Sequence, residues 1–356
     1  VKSLNVVFTI ENTENVTLRN LHLEANVLAL YASKINNLTL ENVTIASSPA
    51  AIHINKSQNV SLNNLDIIGM EGHFAKKENA VALFDVNKAT LTNMSIQNML
   101  DAIYVERVQH LTAHDNVVSG NRYGFHVMYS DYISFSNNTI TNNMTGLMIM
   151  IAKDVQLREN MIEQHNDLNS IGTYLYDVED VAFKNNTVRE NTMAFDLQNA
   201  RNTVISDNVF STNGTVLQLK KSGTADVHSN MFYANILTAR ADAESFALRK
   251  NSYDDFSGYD FDEDGYGDTP YIASNAFGQW MVQKPVYQYY MGSPAVTVLN
   301  TIETAVTGNA KSLIIDEHPQ IIQNEVALTW QPQWVLFGTL LATLAGLFWT
   351  IRRWFM

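Results

Sequence analysis

The residues best able to do chemistry are one histidine and three methionines, in two short segments of similar shape. GFHVMYS (124–130) places His126 and Met128 two residues apart, and GLMIMIA (146–152) places Met148 and Met150 at the same separation. In a strand, residues two apart share a face. Thioethers with an imidazole, and with no carboxylate or thiol among them, form a soft and neutral ligand set. Such a set selects Cu(I) and suits Ca²⁺, Mg²⁺ or Mn²⁺ poorly. Methionine is also ordinary core filling, and with tyrosine it is enriched in docking patches. The copper and docking readings can both hold, but each requires these side chains to face out of the core.

The elements that carry them follow from a repeat. NVTLRNLHL (15–23), NLTLENVTI (37–45) and NVSLNNLDI (59–67) superimpose at a spacing of 22. The last apolar residue of each unit continues through Ile96, Val118, Ile140, Ile162, Val188, Phe210 and Phe232 to Tyr253, broken by insertions of seven and four residues. An asparagine precedes it by two from Asn116 through Asn138, Asn160, Asn186, Asn208 and Asn230 to Asn251. Short alternating runs separated by Asn, Gly, Ser and Asp are strands and turns. One coil per repeat predicts an all-β fold, a right-handed parallel β-helix of about eleven coils over residues 1–255. At about 4.8 Å per coil the rod is on the order of 50 Å long. The asparagines fit turn positions, where they accept left-handed geometry and hydrogen-bond along the stack.

The register decides which way the methionines point. A second strand starts at Ala51, Ala80, Ala102, Gly124, Gly146 and Gly172. One and three residues onward stand Ile103/Val105, Phe125/Val127 and Leu147/Ile149, an apolar and therefore inward set. The intervening positions face outward: Tyr104/Glu106, His126/Met128, Met148/Met150 and Tyr174/Tyr176, then Asp196/Gln198 and Gln218/Lys220. His126, Met128, Met148 and Met150 mark the corners of a rectangle of roughly 4.8 by 6.8 Å. Tyr104, Tyr174 and Tyr176 flank it as a partner surface. The insertions carry Met70, His73 and His165, and His165 reads as a loop histidine beside the methionine coil.

Beyond the rod, DFDEDGYGD (260–268) alternates Asp260, Asp262 and Asp264, followed by Gly265 and Asp268. This is the opening of a calcium loop, although position twelve is Tyr271 rather than a bidentate Glu. A structural Ca²⁺ closing the rod is expected, against the alternative of a solvated acidic turn. Ser293 and Pro294 make a helix start, with Ala295, Val298, Leu299, Ile302 and Val306 on one face. The stretch 256–333 is thus expected to hold the acidic loop, this amphipathic helix and a linker. Residues 334–351 contain no charge and precede Arg352 and Arg353, which reads as one transmembrane helix with the rod outside the inner membrane.

Acids outnumber bases by 36 to 23, which argues against a nucleic-acid partner. The absence of cysteine removes thiolate metal sites and cysteine nucleophiles.

NRYGFHVMYSD, then GLMIMIAKD, then NSYDDFSGYDFDEDGYGDTPY and GSPAVTVLN, resemble in type and order the NosD family. These are periplasmic β-helical accessory proteins of nitrous oxide reductase maturation. The resemblance implies a non-catalytic protein that helps deliver copper to nitrous oxide reductase. It implies as partners a cytoplasmic ABC-type ATPase, its membrane permease and a copper-chaperone lipoprotein. His126, Met128 and Met150 carry over from the family pattern, while Met148 rests on register alone. The alternative is a β-helical carbohydrate-binding or polysaccharide-processing protein. Such an enzyme wants clustered acids on the outward face, where the sequence offers Glu106 and, with three coils between them, Asp196.

Overall fold

The structure, a computed structural model, describes residues 2–3, 5–222, 225–242, 247–274 and 314–321, with scattered residues between 277 and 302. Residues Val1–Ile321 form one compact unit. The chain winds as a parallel β-solenoid of 11 turns, each strand pairing with its equivalents in the coils before and after. Pairing follows the sequence spacing, with Phe125 opposite Leu147 and Val127 opposite Ile149. The inward residues Ile103, Val105, Phe125, Val127, Leu147 and Ile149 are fully buried. Toward the C-terminal end the core becomes an aromatic stack, Phe210 on Phe232 at 5.4 Å and Phe232 on Tyr253 at 5.2 Å.

The conserved spacing of asparagines becomes a continuous buried ladder. The backbone N–H of Asn116 donates to Asn138 Oδ1 at 3.1 Å, and the pattern repeats through Asn160, Asn186, Asn208 and Asn230 to Asn251. Each amide nitrogen also donates to the next Oδ1 and to a main-chain carbonyl, as Asn208 does to Asn230 and Phe183. The left-handed conformation falls on the residue before each ladder position: Asp115, Asn137, Glu159, Asn185, Asp207, Ser229 and Lys250, with φ between 55° and 59°. The turn therefore divides two jobs that the sequence reading gave to one residue. An exposed residue turns the chain, and the buried asparagine after it ties the coils.

A ladder of donors needs a final acceptor, and Asp316 supplies it. Fully buried, it accepts from Asn251 N at 2.9 Å, Asn251 Nδ2 at 3.0 Å, Lys250 N at 3.0 Å and Tyr253 Oη at 3.1 Å. The strand Ile314–Asp316 lies parallel on Leu248 and antiparallel to Tyr271–Ser274. The expectation of a helical tail and a transmembrane helix after the rod is corrected here. Among the described residues the C-terminal region instead returns to the rod as strand, because the last coil exposes apolar and hydrogen-bonding groups that Ile314, Asp316 and Tyr271 cover. Among the described residues of this C-terminal region, the helical ones are 277, 280, 294–296, 298–299 and 302, besides the 3₁₀ turn Pro285–Tyr290. Phe277 and Val296 are buried there, while Val298, Leu299 and Ile302, expected on the apolar face of an amphipathic helix, are exposed. No helix among the described residues is long and apolar enough to cross a membrane, and 334–351 lies outside them.

A second ladder runs one turn away, and it contains His165. Asn121 N donates to Asn143 Oδ1, His165 N to Asn191 Oδ1, and Asn191 N to Asn213 Oδ1. His165 is thus a buried rung and not a solvated loop residue. Its Nδ1 lies 2.7 Å from Asn191 Oδ1, and its Nε2 is buried without a hydrogen-bond partner. It fits because Gly146 lies beside it; a Cβ there would come within 2.8 Å of Nε2 and 2.5 Å of the Gly172 carbonyl oxygen.

Two outcomes follow from the ladders. Asn208→Ala strips the acceptor from Asn186 and is expected to cost roughly 3 kcal/mol by urea denaturation, whereas Asn42→Ala, in an exposed ladder and at a left-handed φ of 56°, costs about 1 kcal/mol. Equal effects would contradict the buried ladder's role. Burial pushes His165 down to about 4 from an ordinary 6.5. The unfolded chain therefore protonates first, so stability is full above about pH 6.5 and falls as pH drops toward about 4, by on the order of 3 kcal/mol. His165→Asn should flatten that interval relative to the unaltered chain; parallel losses in both, measured at pH 7 and 5, would show that His165 is not the responsible group.

Candidate functional site

Small residues at the coil corner let the site strands stack closely, and the stacking builds the outward face as expected. His126 lies opposite Met148 and Met128 opposite Met150. Tyr104 and Glu106 precede them, and Tyr174 and Tyr176 follow. All four candidate ligands are half-buried, as are Tyr104 and Tyr174, and Tyr176 is exposed. These methionines do not fill the core. The interval between them and the inward set is a single backbone step, which is why the chain can carry a soft surface over a continuous apolar interior.

His126 is the most constrained of the four. Its Nδ1 lies 2.8 Å from Asp101 Oδ2, and Asp101 is fully buried. Arg122 grips the same carboxylate with both arms, Nε to Oδ1 at 2.9 Å and Nη2 to Oδ2 at 2.8 Å. Burial raises the Asp101 carboxyl, but hydrogen bonds from His126 and Arg122 and the charge of Arg122 outweigh it and hold the group below its ordinary value. Tyr104 and Tyr123 meet the imidazole edge-on at 4.9 and 5.0 Å. The Tyr104 hydroxyl donates to Glu106 at 2.8 Å and approaches Met128 Sδ at 3.9 Å. Burial and the neighbouring carboxylate push Tyr104 up to about 12, so the hydroxyl stays neutral.

Asp101, the first residue of its strand, and Arg122, just before the next one, went unnoticed in the sequence because they lie at the corner where alternation begins and assigns no face. The C-terminal part of the outward column also differs from expectation. Asp196 and Gln218 are buried, and Arg240, opposite Gln218, extends them. Gln218 Nε2 donates to Asp196 at 2.6 Å. Burial pushes the Asp196 carboxyl up against the opposing pull of Lys220, Gln198, Gln218 and Arg240. Arg240 Nε and Nη1 are buried without partners. Phe277 and Val296 pack with Leu237, which lies on the Arg240 strand, so the C-terminal segment covers this end.

In the acidic loop, single oxygens of Asp260, Asp262 and Asp268 lie within 4.8 Å of one another. Asp264 stands apart from that group, its carboxylate accepting from Tyr266 N at 2.8 Å. Asp260 accepts from Asp264 N and Gly265 N, and Asp268 from Phe261 N, so the loop is tied by its own backbone.

With this geometry in place, a family model described as periplasmic copper-binding protein (NosD) matches residues 63–277, more than half of the chain, and spans both site strands. The chain belongs to the NosD family. No curated protein matches this NosD-family chain. Among solved structures, a hyperthermoactive exopolygalacturonase from Thermotoga maritima matches with TM-score 0.51 at 9% identity, covering 65% of this chain and 79% of that one. The A-module of the mannuronan C-5 epimerase AlgE4 from Azotobacter vinelandii has TM-score 0.44 at 13% identity, covering 67% and 86%. PfbA, a surface adhesin of Streptococcus pneumoniae, has TM-score 0.35 at 12% identity, covering 77% and 81%. These likenesses show the fold alone. The expectation of a non-catalytic protein is corrected to this extent: the same fold occurs in an exopolygalacturonase, so the fold does not exclude catalysis. The expectation of an inner-membrane anchor finds no support here: the family description is periplasmic, the described residues contain no spanning helix, and 334–351 lies outside them.

Proposed function

We propose that the protein takes up Cu(I) on the face of His126, Met128, Met148 and Met150 and passes it toward nitrous oxide reductase. The observation that carries this reading is the pairing of His126 with Met148 and Met128 with Met150 on an outward face that the NosD family match spans. Thioether and imidazole donors hold Cu(I) without the grip of a thiolate, which suits cargo that must leave again. The cargo would arrive from a copper-chaperone lipoprotein. The ABC-type ATPase and its permease would drive the exchange, with Tyr104, Tyr174 and Tyr176 as the surface where a partner docks. Tyr176 is the exposed member of that set.

The test is a combined His126, Met128, Met148 and Met150 to alanine variant in a denitrifying host. None of the four is in the core, so the solenoid should fold and the partner complex assemble, while nitrous oxide reductase is recovered copper-deficient. A fully loaded reductase would refute the delivery role. Loss of the partner complex with copper binding retained would make the face a docking patch instead.

We propose a stabilising Ca²⁺ at Asp260, Asp262 and Asp268, with Asp264 as the fourth acid of the loop. Calcium should raise the melting temperature and a chelator should reverse the rise, as for any ligand of the native state alone. Identical melting curves would leave a solvated acidic turn.

A second reading, binding or processing of a polysaccharide, is favoured by one observation. Asp196, a buried acid on the outward face, stands in one column with Gln218 and Arg240. Turnover of any uronate polymer by the purified chain, lost in Asp196→Asn, would establish it; no turnover across such a panel would remove it.

A further inference from the structure

We propose that Asp101, held by Arg122, is a positioning residue for His126. It fixes the imidazole with Nδ1–H toward the carboxylate and presents the Nε2 lone pair as the copper ligand. This rests on the copper reading above and concerns how that site is set.

A fully buried carboxylate must be compensated, and the two-armed contact of Arg122 already does so. A purely structural ion pair would be complete at that point. Asp101 Oδ2 nevertheless also meets His126 Nδ1 at 2.8 Å. An ionised carboxylate only accepts, so Nδ1 must carry a proton, and in the neutral imidazole Nε2 is then the lone-pair nitrogen. The surroundings allow little else. Tyr104 and Tyr123 both stand perpendicular to the imidazole, at 90° and 85°. Tyr123 is itself held under the Arg122 guanidinium at 4.4 Å.

The arrangement has an electrostatic consequence. Because Arg122 cancels the charge of Asp101, the carboxylate can orient the histidine without turning the thioether site into an anionic one. A neutral soft site favours a monocation over divalent hard ions, whereas an uncompensated carboxylate would draw the latter. Carboxylates behind metal-binding histidines typically govern affinity through ring orientation and tautomer.

The experiment uses the full chain, with anaerobic Cu(I) titration against a chromogenic competing chelator. It compares the unaltered protein, Asp101→Asn and the combined four-residue alanine variant. Asp101→Asn is expected to bind Cu(I) about 10- to 100-fold more weakly, and the combined variant to lose the site. In parallel, nitrogen-15 histidine spectra of the unaltered, metal-free chain should show His126 protonated at Nδ1, a signature that requires no variant to fold. His126 found protonated at Nε2 overturns the proposal. So does an Asp101→Asn variant that binds Cu(I) within about twofold of the unaltered chain while the combined variant does not bind. Undiminished binding by the combined variant instead refutes the copper reading itself, and the proposal falls with it.

Discussion

The site depends on the coil-to-coil hydrogen bonding of the buried asparagines. Strand pairing alone leaves a parallel sheet free to slip, and a slip of one residue would exchange the inward and outward faces. The ladder from Asn116 to Asn251 ties each turn to the next at one fixed position, and Asp316 ends it with a carboxylate that can accept every remaining donor. Both site strands lie within the reach of that ladder, between Asn116 and Asn160. A position held by apolar residues in earlier coils, such as Met94, becomes asparagine just where the functional face begins.

The division of labour within a coil explains how this chain carries chemistry on its surface. Inward positions alone form the core, so outward positions can vary without unfolding the rod. Corner glycines bring neighbouring turns to close contact, and at Gly146 the space accommodates the imidazole rung of His165. The same corner supplies Asp101 and Arg122. The histidine that faces the methionines is therefore held by a buried carboxylate, itself gripped by Arg122, and met edge-on by two tyrosines.

The solenoid, its insertions and the outward placement of His126, Met128, Met148 and Met150 could be read in the sequence because each follows from a period of two inside a period of 22. What that periodicity does not describe stayed hidden. Asp101 sits at a corner where alternation stops. His165 was legible, since it continues Asn121 and Asn143 at the same spacing, but its position at the start of an insertion suggested a loop. The tail went astray for a different reason: the spacing of apolar residues around Val298 fits a helix, yet the closing strand Ile314–Asp316 is short and gains its place only from the unfinished end of the rod. The enzymatic question lies beyond pattern altogether, because one solenoid supports both catalysis and binding.

On the proposed function, copper sits on the outward rectangle, and not at the acidic loop or the histidines elsewhere. X-ray absorption at the copper edge, on the full chain loaded with one equivalent of Cu(I), tests it most directly. The expected result is a shell of thioether sulfur with one imidazole nitrogen, the sulfur disappearing when Met128, Met148 and Met150 are replaced together. A shell of oxygen and nitrogen alone, or sulfur that survives those replacements, would contradict it.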